Sequence, residues 1–259
     1  MRIGIIYFLV IVFSNTIGAI AGLSGGVIIR PIFDAVGYHD VISISFYSGV
    51  AVLTMSTVST ATKLKKGISI QSDLALLISL GSVIGGILGN LLLGSLLNHF
   101  PSDETVLGIQ IIVAIVALTF ALSYTIKQWK SFEITNKFAF LVIGGMLGCI
   151  ASLLGIGGGP INVAAFMLLF KMSIKEAATY SIVTIFFAQL SRLITVGLTT
   201  GFQIFDLSVL AFIVPAATIG GFLGSRLGHI FPEKIVIKVY QTIVVSVIIL
   251  NAINGIQLL

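Results

Sequence analysis

The chain has 259 residues, of which 57% are hydrophobic and only 9% are charged, and its formal net charge is +5. Because a soluble domain is about 25% charged, this composition excludes a soluble enzyme, a nucleic-acid-binding module and a disordered chain. It predicts an all-α, multi-pass integral membrane protein of the cell membrane, in which the positive excess lies in cytoplasmic loops.

Apolar stretches along the chain predict the membrane spans. Eight stretches are close to the roughly 20 residues that a helix needs to cross a bilayer. They fall at about 3–22, 41–62, 72–97, 104–126, 138–154, 176–198, 205–228 and 235–254. Two shorter stretches, 27–37 and 160–170, follow glycine-rich breaks. They are short for an untilted span and are predicted to be re-entrant or half-helices. Whether they fully cross the bilayer is left open.

The chain contains an internal repeat with an offset of 133 residues. At this offset glycines fall on glycines, a Tyr-Ser pair falls on a Tyr-Ser pair, and an aspartate falls on an aspartate. The aligned residues are Gly22, Gly25, Gly26, Tyr47, Ser48 and Asp73 with Gly155, Gly158, Gly159, Tyr180, Ser181 and Asp206. Such an ordered series indicates a duplication. We predict a first transmembrane repeat at 1–126, a cytoplasmic linker at 127–137 and a second transmembrane repeat at 138–259.

Basic residues predict the orientation of the loops. The loops at 38–42, 98–104 and 199–205 contain no Lys or Arg, so they are expected outside. Four other groups are expected to mark cytoplasmic loops: Lys63, Lys65 and Lys66; Lys127, Lys130 and Lys137; Lys171 and Lys175; and Arg226, Lys234 and Lys238. This alternation needs about five segments per half and both termini outside. It places equivalent loops on opposite sides, so the two repeats are predicted to be inverted, which is a transporter architecture.

Two glycine breaks are the first candidate site. The sequence 22–26 reads Gly-Leu-Ser-Gly-Gly, and 155–160 reads Gly-Ile-Gly-Gly-Gly-Pro. Glycine runs leave backbone N–H groups free to turn toward a ligand, and a helix that starts after them points its positive dipole end at the site. Corresponding breaks in two inverted repeats predict a binding site near the midplane. The alternative is that the glycines only permit close packing of helices.

Two arginines lie within the apolar segments. Arg30 follows the first break, and Arg192 lies deep in the stretch 176–198. A charge at membrane depth costs at least about 2.5–3.5 kcal/mol, so it usually faces a cavity or a partner. A guanidinium offers donors that match an oxyanion, and we expect both arginines to line an anion path. The alternative is a structural ion pair, such as Arg30 with Asp34 four residues later.

Hydroxyl and amide side chains follow both short segments. Hydroxyls can donate hydrogen bonds to a partly dehydrated anion, although most serines are expected to join helix to helix. Ser48 and Ser181 are singled out by the repeat, and Asn162 by its position just beyond Gly159. The predicted substrate-binding residues are Gly22, Ser24, Gly25, Gly26, Arg30, Ser48, Gly155, Gly157, Gly158, Gly159, Asn162, Ser181 and Arg192. Asp73 and Asp206 are expected to be N-cap or first-turn residues of long helices, and a role in proton coupling is the alternative.

The repeated glycine pattern, the inverted repeat and the small-residue runs before Ser48 and Ser181 resemble the sulfite exporter (TauE/SafE) family, also called the TSUP permeases. The resemblance covers nearly the whole chain, with Ser24 standing where the family usually has glycine. It implies a permease that moves sulfur-containing anions, such as sulfite, sulfonates or sulfoacetate.

The sequence therefore predicts a secondary transporter for small anions that works by alternating access around a site between the repeats. An anion or small-solute channel is the alternative. No enzyme activity, metal or cofactor is expected, because no catalytic pair or ligand spacing is visible and Cys149 is the single cysteine. The expected partners are the small anion and the lipid bilayer, with no nucleic acid. The exact substrate, the direction of transport, a homo-oligomer, and proton or sodium coupling are left open.

Overall fold

The structure, a computed structural model, describes residues 2–65, 71–100, 103–127, 129–154 and 158–257. Within these residues the secondary structure is helical, with ten α-helices and one short 3₁₀ helix. The helices are α1 (Arg2–Ala21), α2 (Gly26–Val36), α3 (Val41–Lys65), α4 (Ser72–His99), α5 (Asp103–Lys127), α6 (Lys137–Leu154), α7 (Gly159–Phe170), α8 (Ile174–Thr199), α9 (Leu210–Ile230) and α10 (Glu233–Gln257). The 3₁₀ helix, Leu207–Val209, directly precedes α9.

The eight predicted spans are confirmed as helices that are long and apolar enough to cross a membrane. The two short stretches are also helical, as α2 with 11 residues and α7 with 12. Outward-facing apolar side chains are widely exposed, for example Leu9 at 62%, Leu91 at 64% and Val116 at 64%. Lipid tails would cover such a surface, which a protein in water rarely presents over many helices. The chain is therefore a multi-pass integral membrane protein.

Local sequence explains where the short helices begin and end. Pro160 lies in the first turn of α7, where its missing N–H is not needed. The chain leaves α2 through Gly37, whose φ of 63° lies in the left-handed region that glycine adopts freely. A capping box starts α8, because the Ser173 hydroxyl accepts from the Glu176 N–H and the Glu176 carboxylate accepts from the Ser173 N–H.

Rows of glycine bring α4 against α6 and α9 against α1. On α4, a Cβ at Gly81, Gly85 or Gly89 would collide with the backbone of α6. On α9, a Cβ at Gly220 or Gly224 would collide with α1. Glycines spaced by four residues let helix backbones approach in this way. The repeat relates α1 to α6 and α4 to α9, so the two close pairs are equivalent to each other, as a duplication requires.

The described members of the four basic groups lie at one end of the molecule, which we call the inner end. Three contacts link them along the chain. They are the ion pairs Asp73–Lys137 and Glu133–Lys171 and the hydrogen bond of 3.0 Å from Lys175 Nζ to the His229 carbonyl oxygen. The start of α4 and the end of α9 therefore lie at the same end. Equivalent helices running in opposite directions are what an inverted repeat requires.

Aromatic contacts define the opposite, outer end. The Phe46 ring, near the start of α3, stacks on Phe205 with the ring centroids 4.0 Å apart, and it also contacts Phe202. The loops 38–42 and 199–205, which lack basic residues, are therefore neighbours. Asp206 caps the 3₁₀ helix by accepting from the Ser208 N–H at 3.0 Å, as predicted. Hydrogen bonds from Ser208 hold the pKa of the Asp206 carboxyl below its usual range.

The repeated tyrosines join the two repeats. The Tyr47 hydroxyl on α3 donates to the carbonyl oxygen of Asp206 at 3.1 Å. The Tyr180 hydroxyl on α8 accepts from the N–H of Gln71 at 3.1 Å. Tyr47 thus contacts the segment that leads into α9, and Tyr180 contacts the segment that leads into α4, in each case in the other repeat. This shared contact gives a structural reason for the repeated Tyr-Ser pair.

Lys63 differs from its sequence interpretation. It was expected in a solvated cytoplasmic loop, but α3 continues to Lys65 and the Lys63 side chain is only 6% exposed. Its Nζ donates to Thr179 Oγ1 on α8 at 3.1 Å. The interpretation fails because a helix from the other repeat covers this side chain, which the local run of lysines does not reveal. Lys66 lies outside the described residues.

Candidate functional site

The described part of the second glycine break lies against the first break. A Cβ at Gly159, the first residue of α7, would be 2.6 Å from the Ser24 nitrogen and 2.8 Å from Leu23 Cα. The backbones of the two repeats therefore touch where α2 and α7 begin. Gly158 has a φ of 78°, which a residue with a side chain rarely adopts. Gly155 and Gly157, both named as candidate residues, lie outside the described residues.

Gly22 and Gly25 are packing positions in this conformation. A Cβ at Gly22, whose φ is 75°, would overlap Ala178 on α8. A Cβ at Gly25 would overlap the amide of Asn15 on α1. The Ser181 hydroxyl donates to the Gly22 carbonyl oxygen at 2.7 Å and thereby fixes the first break to α8. The alternative interpretation, in which the glycines permit close packing of helices, therefore holds for Gly22 and Gly25.

The first turn of α2 does not offer free N–H groups, contrary to the expectation from its sequence. The Gly26 N–H donates to Ser24 Oγ at 3.2 Å, and the Val27 N–H donates to the Ser24 carbonyl oxygen at 3.2 Å. The Ile28 N–H donates to the Gly25 carbonyl oxygen at 3.1 Å. A ligand at this break would therefore meet side chains more readily than backbone donors.

A cavity of about 310 Å³ lies beside the first break. Its volume is at the lower end of the range for ligand sites, about 300–1,000 Å³, which suits a small solute. Five of the predicted residues line it: Ser24, Gly26, Arg30, Ser48 and Arg192. Its wall combines α2, α3, α4, α6 and α8, so both repeats contribute. The lining parts of α3 and α8 are those nearest to the loops 38–42 and 199–205, which places the cavity toward the outer end.

The two arginines give the cavity its charge. Arg192 on α8 donates to the hydroxyl of Ser45 on α3. Arg30 on α2 lies 3.9 Å from Asp34, measured from Nε to Oδ2, and both side chains are less than half exposed, at 42% and 43%. The ion pair considered from sequence therefore exists, and Arg30 lines the cavity as well. With two guanidinium groups on the wall and Asp34 paired to only one of them, the cavity carries a positive excess.

Gln189 adds a buried amide to the wall of this cavity. It is 8% exposed, and its Oε1 has no hydrogen-bond partner among the described residues. It lies beside Gly49, where a Cβ would be 3.4 Å from Oε1. The N and O of such an amide are interchangeable by rotation, so Gln189 can present either a donor or an acceptor to a bound solute.

Several polar lining residues were not singled out from sequence. They are Ser82, Asn90, Ser152 and Thr195, whereas Ser45, Gln189 and Ser191 belong to the hydroxyl and amide side chains predicted to follow the two short segments. Helical spacing could have found Thr195, since Arg192 and Thr195 are three residues apart on α8 and therefore share a face. The residues on α4 and α6 carry no such signal, because only the glycine-mediated packing of these two helices shows that they approach the cavity.

Four other candidate residues lie away from this cavity. Gly158 and Gly159 belong to the second break, Asn162 follows it on α7, and Ser181 holds the first break as described above. Asn162 is 3% exposed, and its Oδ1 has no partner among the described residues. The repeat predicted similar roles for Ser48 and Ser181, but the structure places Ser48 on the cavity wall and Ser181 against the Gly22 backbone. Within the described ranges, no group of three or more His, Cys, Asp or Glu could hold a metal ion.

Comparison with known proteins gives one family and two partial relatives. The family described as "Sulfite exporter TauE/SafE" matches residues 7–253. A probable membrane transporter protein MamO of Magnetospirillum gryphiswaldense is 29% identical over 113 residues, which are 42% of this chain and 18% of the relative. MamO of Paramagnetospirillum magneticum is 29% identical over 111 residues, 41% of this chain and 17% of the relative. The match thus spans less than a fifth of either relative. No solved structure matches the chain.

Proposed function

Since the chain belongs to the sulfite exporter TauE/SafE family, we propose that it is a secondary transporter for small anions. The proposed substrates are sulfur-containing oxyanions or organosulfonates, such as sulfite or sulfoacetate. The proposed site is the cavity between the two repeats, and transport occurs as the protein alternately opens this site to either side. The partial match to proteins named as probable membrane transporters supports the same class of function.

One observation carries this proposal: Arg30 of the first repeat and Arg192 of the second line a single cavity. Two guanidinium groups at membrane depth are unfavourable unless they face water or an anion. An oxyanion accepts two parallel hydrogen bonds from a guanidinium, and the hydroxyls of Ser24 and Ser48 can donate further ones. Such donors replace the water that the anion loses on binding.

The contact between α3 and α8 at the inner end favours a carrier over an open pore. The cavity lies toward the outer end, whereas at the inner end Lys63 on α3 contacts Thr179 on α8. A channel needs a continuous path in its conducting state, and a carrier never opens both ends together. Saturable transport that is accelerated by substrate on the opposite side would support the carrier. Large single-channel currents would support the alternative of an anion or small-solute channel.

The decisive experiment is transport by the purified protein in liposomes. Uptake of radiolabelled sulfite, thiosulfate and sulfoacetate would be measured against empty liposomes, with a small cation and a neutral solute as negative controls. We expect saturable uptake of at least one of the sulfur-containing anions and none of the controls. The proposal fails if no small anion is transported or bound, or if the neutral solute moves equally well.

A further inference from the structure

A buried lysine, Lys63, lies on the α3–α8 contact at the inner end. Lys63 Nζ donates to Thr179 Oγ1 at 3.1 Å, and the Thr179 hydroxyl in turn donates to the Lys175 carbonyl oxygen at 2.7 Å. This single neutral acceptor is the only partner that the described residues give to an ammonium group with three donors. A cation buried in this way is unfavourable unless it has a function or a charged partner.

The carboxylates that the structure describes at the inner end do not pair with Lys63. Asp73 pairs with Lys137 and Glu133 pairs with Lys171, both at the inner end. Glu176, one turn before Thr179 on α8, accepts from the N–H of its own capping residue Ser173 at 2.8 Å. Within the part of the chain that the structure describes, no carboxylate forms an ion pair with Lys63. Its charge is therefore available to an anion that comes from outside the protein.

Two hydroxyls with no hydrogen-bond partner share the face of Lys63. Ser59 and Thr60 lie four and three residues before it on α3, which places them one turn away on the same side of the helix. Both hydroxyl oxygens are buried without a partner among the described residues. Other hydroxyls on α3 bond to the helix itself, such as Thr54 to the Val50 carbonyl oxygen and Thr62 to that of Val58. Two hydroxyl donors without a described partner therefore lie one turn from the Lys63 ammonium group on α3.

The position of this cluster mirrors that of the outer cavity. Lys63 lies 18 residues after Ser45 on α3, which corresponds to about 27 Å along the helix axis. At the outer end a cation on α8, Arg192, contacts a hydroxyl on α3; at the inner end a cation on α3, Lys63, contacts a hydroxyl on α8. In an inverted repeat, movement of one repeat against the other closes one end while it opens the other.

We propose that Lys63, Ser59, Thr60 and Thr179 form an inner anion site. The site is closed in this conformation and takes up the transported anion when the inner end opens. In the open form Thr179 on α8 moves away from Lys63 on α3, and the small oxyanion replaces it as the acceptor for the ammonium group. The free hydroxyls of Ser59 and Thr60 then donate to the same anion. This inference rests on the proposed function as an anion transporter.

The test compares the apparent affinity for the anion on the two faces of the membrane. KM would be measured for entry from the outer face and for entry from the inner face, in right-side-out and inside-out vesicles, with radiolabelled sulfite or whichever anion the wild type transports. For Lys63→Met we expect the inner KM to rise about tenfold, the effect of losing one charge-assisted hydrogen bond, while the outer KM stays within about twofold. Lys63→Arg, which keeps the charge, should retain most of the inner affinity.

Two further variants separate binding from folding. Lys65→Met removes an exposed lysine from the same helix and should leave both KM values unchanged. Ser59→Ala removes a hydroxyl that has no hydrogen-bond partner among the residues that the structure describes. It should therefore fold like the wild type and still raise the inner KM about threefold. The inner site is refuted if Lys63→Met and Ser59→Ala leave the inner KM at the wild-type value, or if they raise both KM values equally. If the wild type moves no anion, the proposed function and the inner site fall together.

Discussion

The backbone of Gly159 in the second repeat lies against that of Ser24 in the first, and a Cβ on Gly159 would be only 2.6 Å from the Ser24 nitrogen. This contact fixes the position of the first turn of α2 relative to the first turn of α7. The side chains that follow each break, including Arg30, therefore keep a defined position relative to the other repeat. The geometry of the proposed site depends on this contact.

Gly159→Ala should both destabilise the protein and impair transport. The added methyl group meets backbone atoms that cannot move independently, and overpacking of this kind costs typically about 1–3 kcal/mol. The measurement is thermal unfolding in detergent, followed by transport in liposomes. Gly94→Ala is the matched control, because a Cβ at Gly94 has no neighbour within 4 Å. A Gly159→Ala variant as stable and active as Gly94→Ala would contradict the close contact.

Arg192→Gln should lower anion transport at least about tenfold, the loss expected when one charged donor is removed. The variant keeps hydrogen-bonding capacity but removes the charge and the paired donors of the guanidinium. Arg226→Gln is the control, since Arg226 is also on a membrane helix but lies over the Phe222 ring and does not line the cavity. Uptake would be measured at several anion concentrations. Normal transport by Arg192→Gln would remove Arg192 from the site.

Asp34→Asn should strengthen anion binding at the outer cavity. The Asp34 carboxylate lies 3.9 Å from Arg30 and competes with an anion for the guanidinium. Because this pair is partly exposed, it is worth at most about 1 kcal/mol, so we expect the outer KM to fall by no more than about fivefold. The effect should shrink at high salt, which screens exposed charges. A rise in KM would show instead that Asp34 is needed to hold Arg30 in place.

Ser48→Ala and Ser181→Ala should have different effects although the repeat aligns the two residues. Ser48 lines the cavity, so its loss should raise the outer KM with little change in stability. Ser181 donates to the Gly22 carbonyl oxygen, so its loss should lower stability by about 0.5–1.5 kcal/mol. The two measurements are the outer KM and the thermal unfolding temperature. Identical behaviour of the two variants would show that the distinction between the serines is wrong.

Sequence was sufficient for the spans because each depends on local composition. A helix such as α5 needs only a long apolar run to be recognised, and all eight runs are helices in the structure. The sidedness of the loops stays a prediction, although contacts such as Lys175 with the His229 carbonyl oxygen bring basic groups that are distant in sequence to the same end. Tyr47 contacts the segment that leads into α9, and Tyr180 contacts the segment that leads into α4. These equivalent contacts give a structural reason for the repeated tyrosine, which the alignment alone does not supply.

The candidate site was only partly accessible from sequence, because its walls come from contacts between distant helices. Asn90 on α4 and Ser152 on α6 line the cavity only because glycines hold these two helices together. Lys63 looked like a loop residue because the side chain that covers it, Thr179, lies in the other repeat. The difference between Ser48 and Ser181 was also inaccessible from sequence, because it depends on what each serine meets on other helices: Ser48 lines the cavity, and Ser181 donates to the Gly22 carbonyl oxygen.

The close pairs α4–α6 and α1–α9 each join a helix of one repeat to a helix of the other. In a single repeat on its own, the glycine rows would face lipid and would lose their close contacts with the backbone of the other repeat. We propose that the partner of each repeat is the other repeat in the opposite orientation. Separately expressed halves should then assemble with each other before either becomes stable.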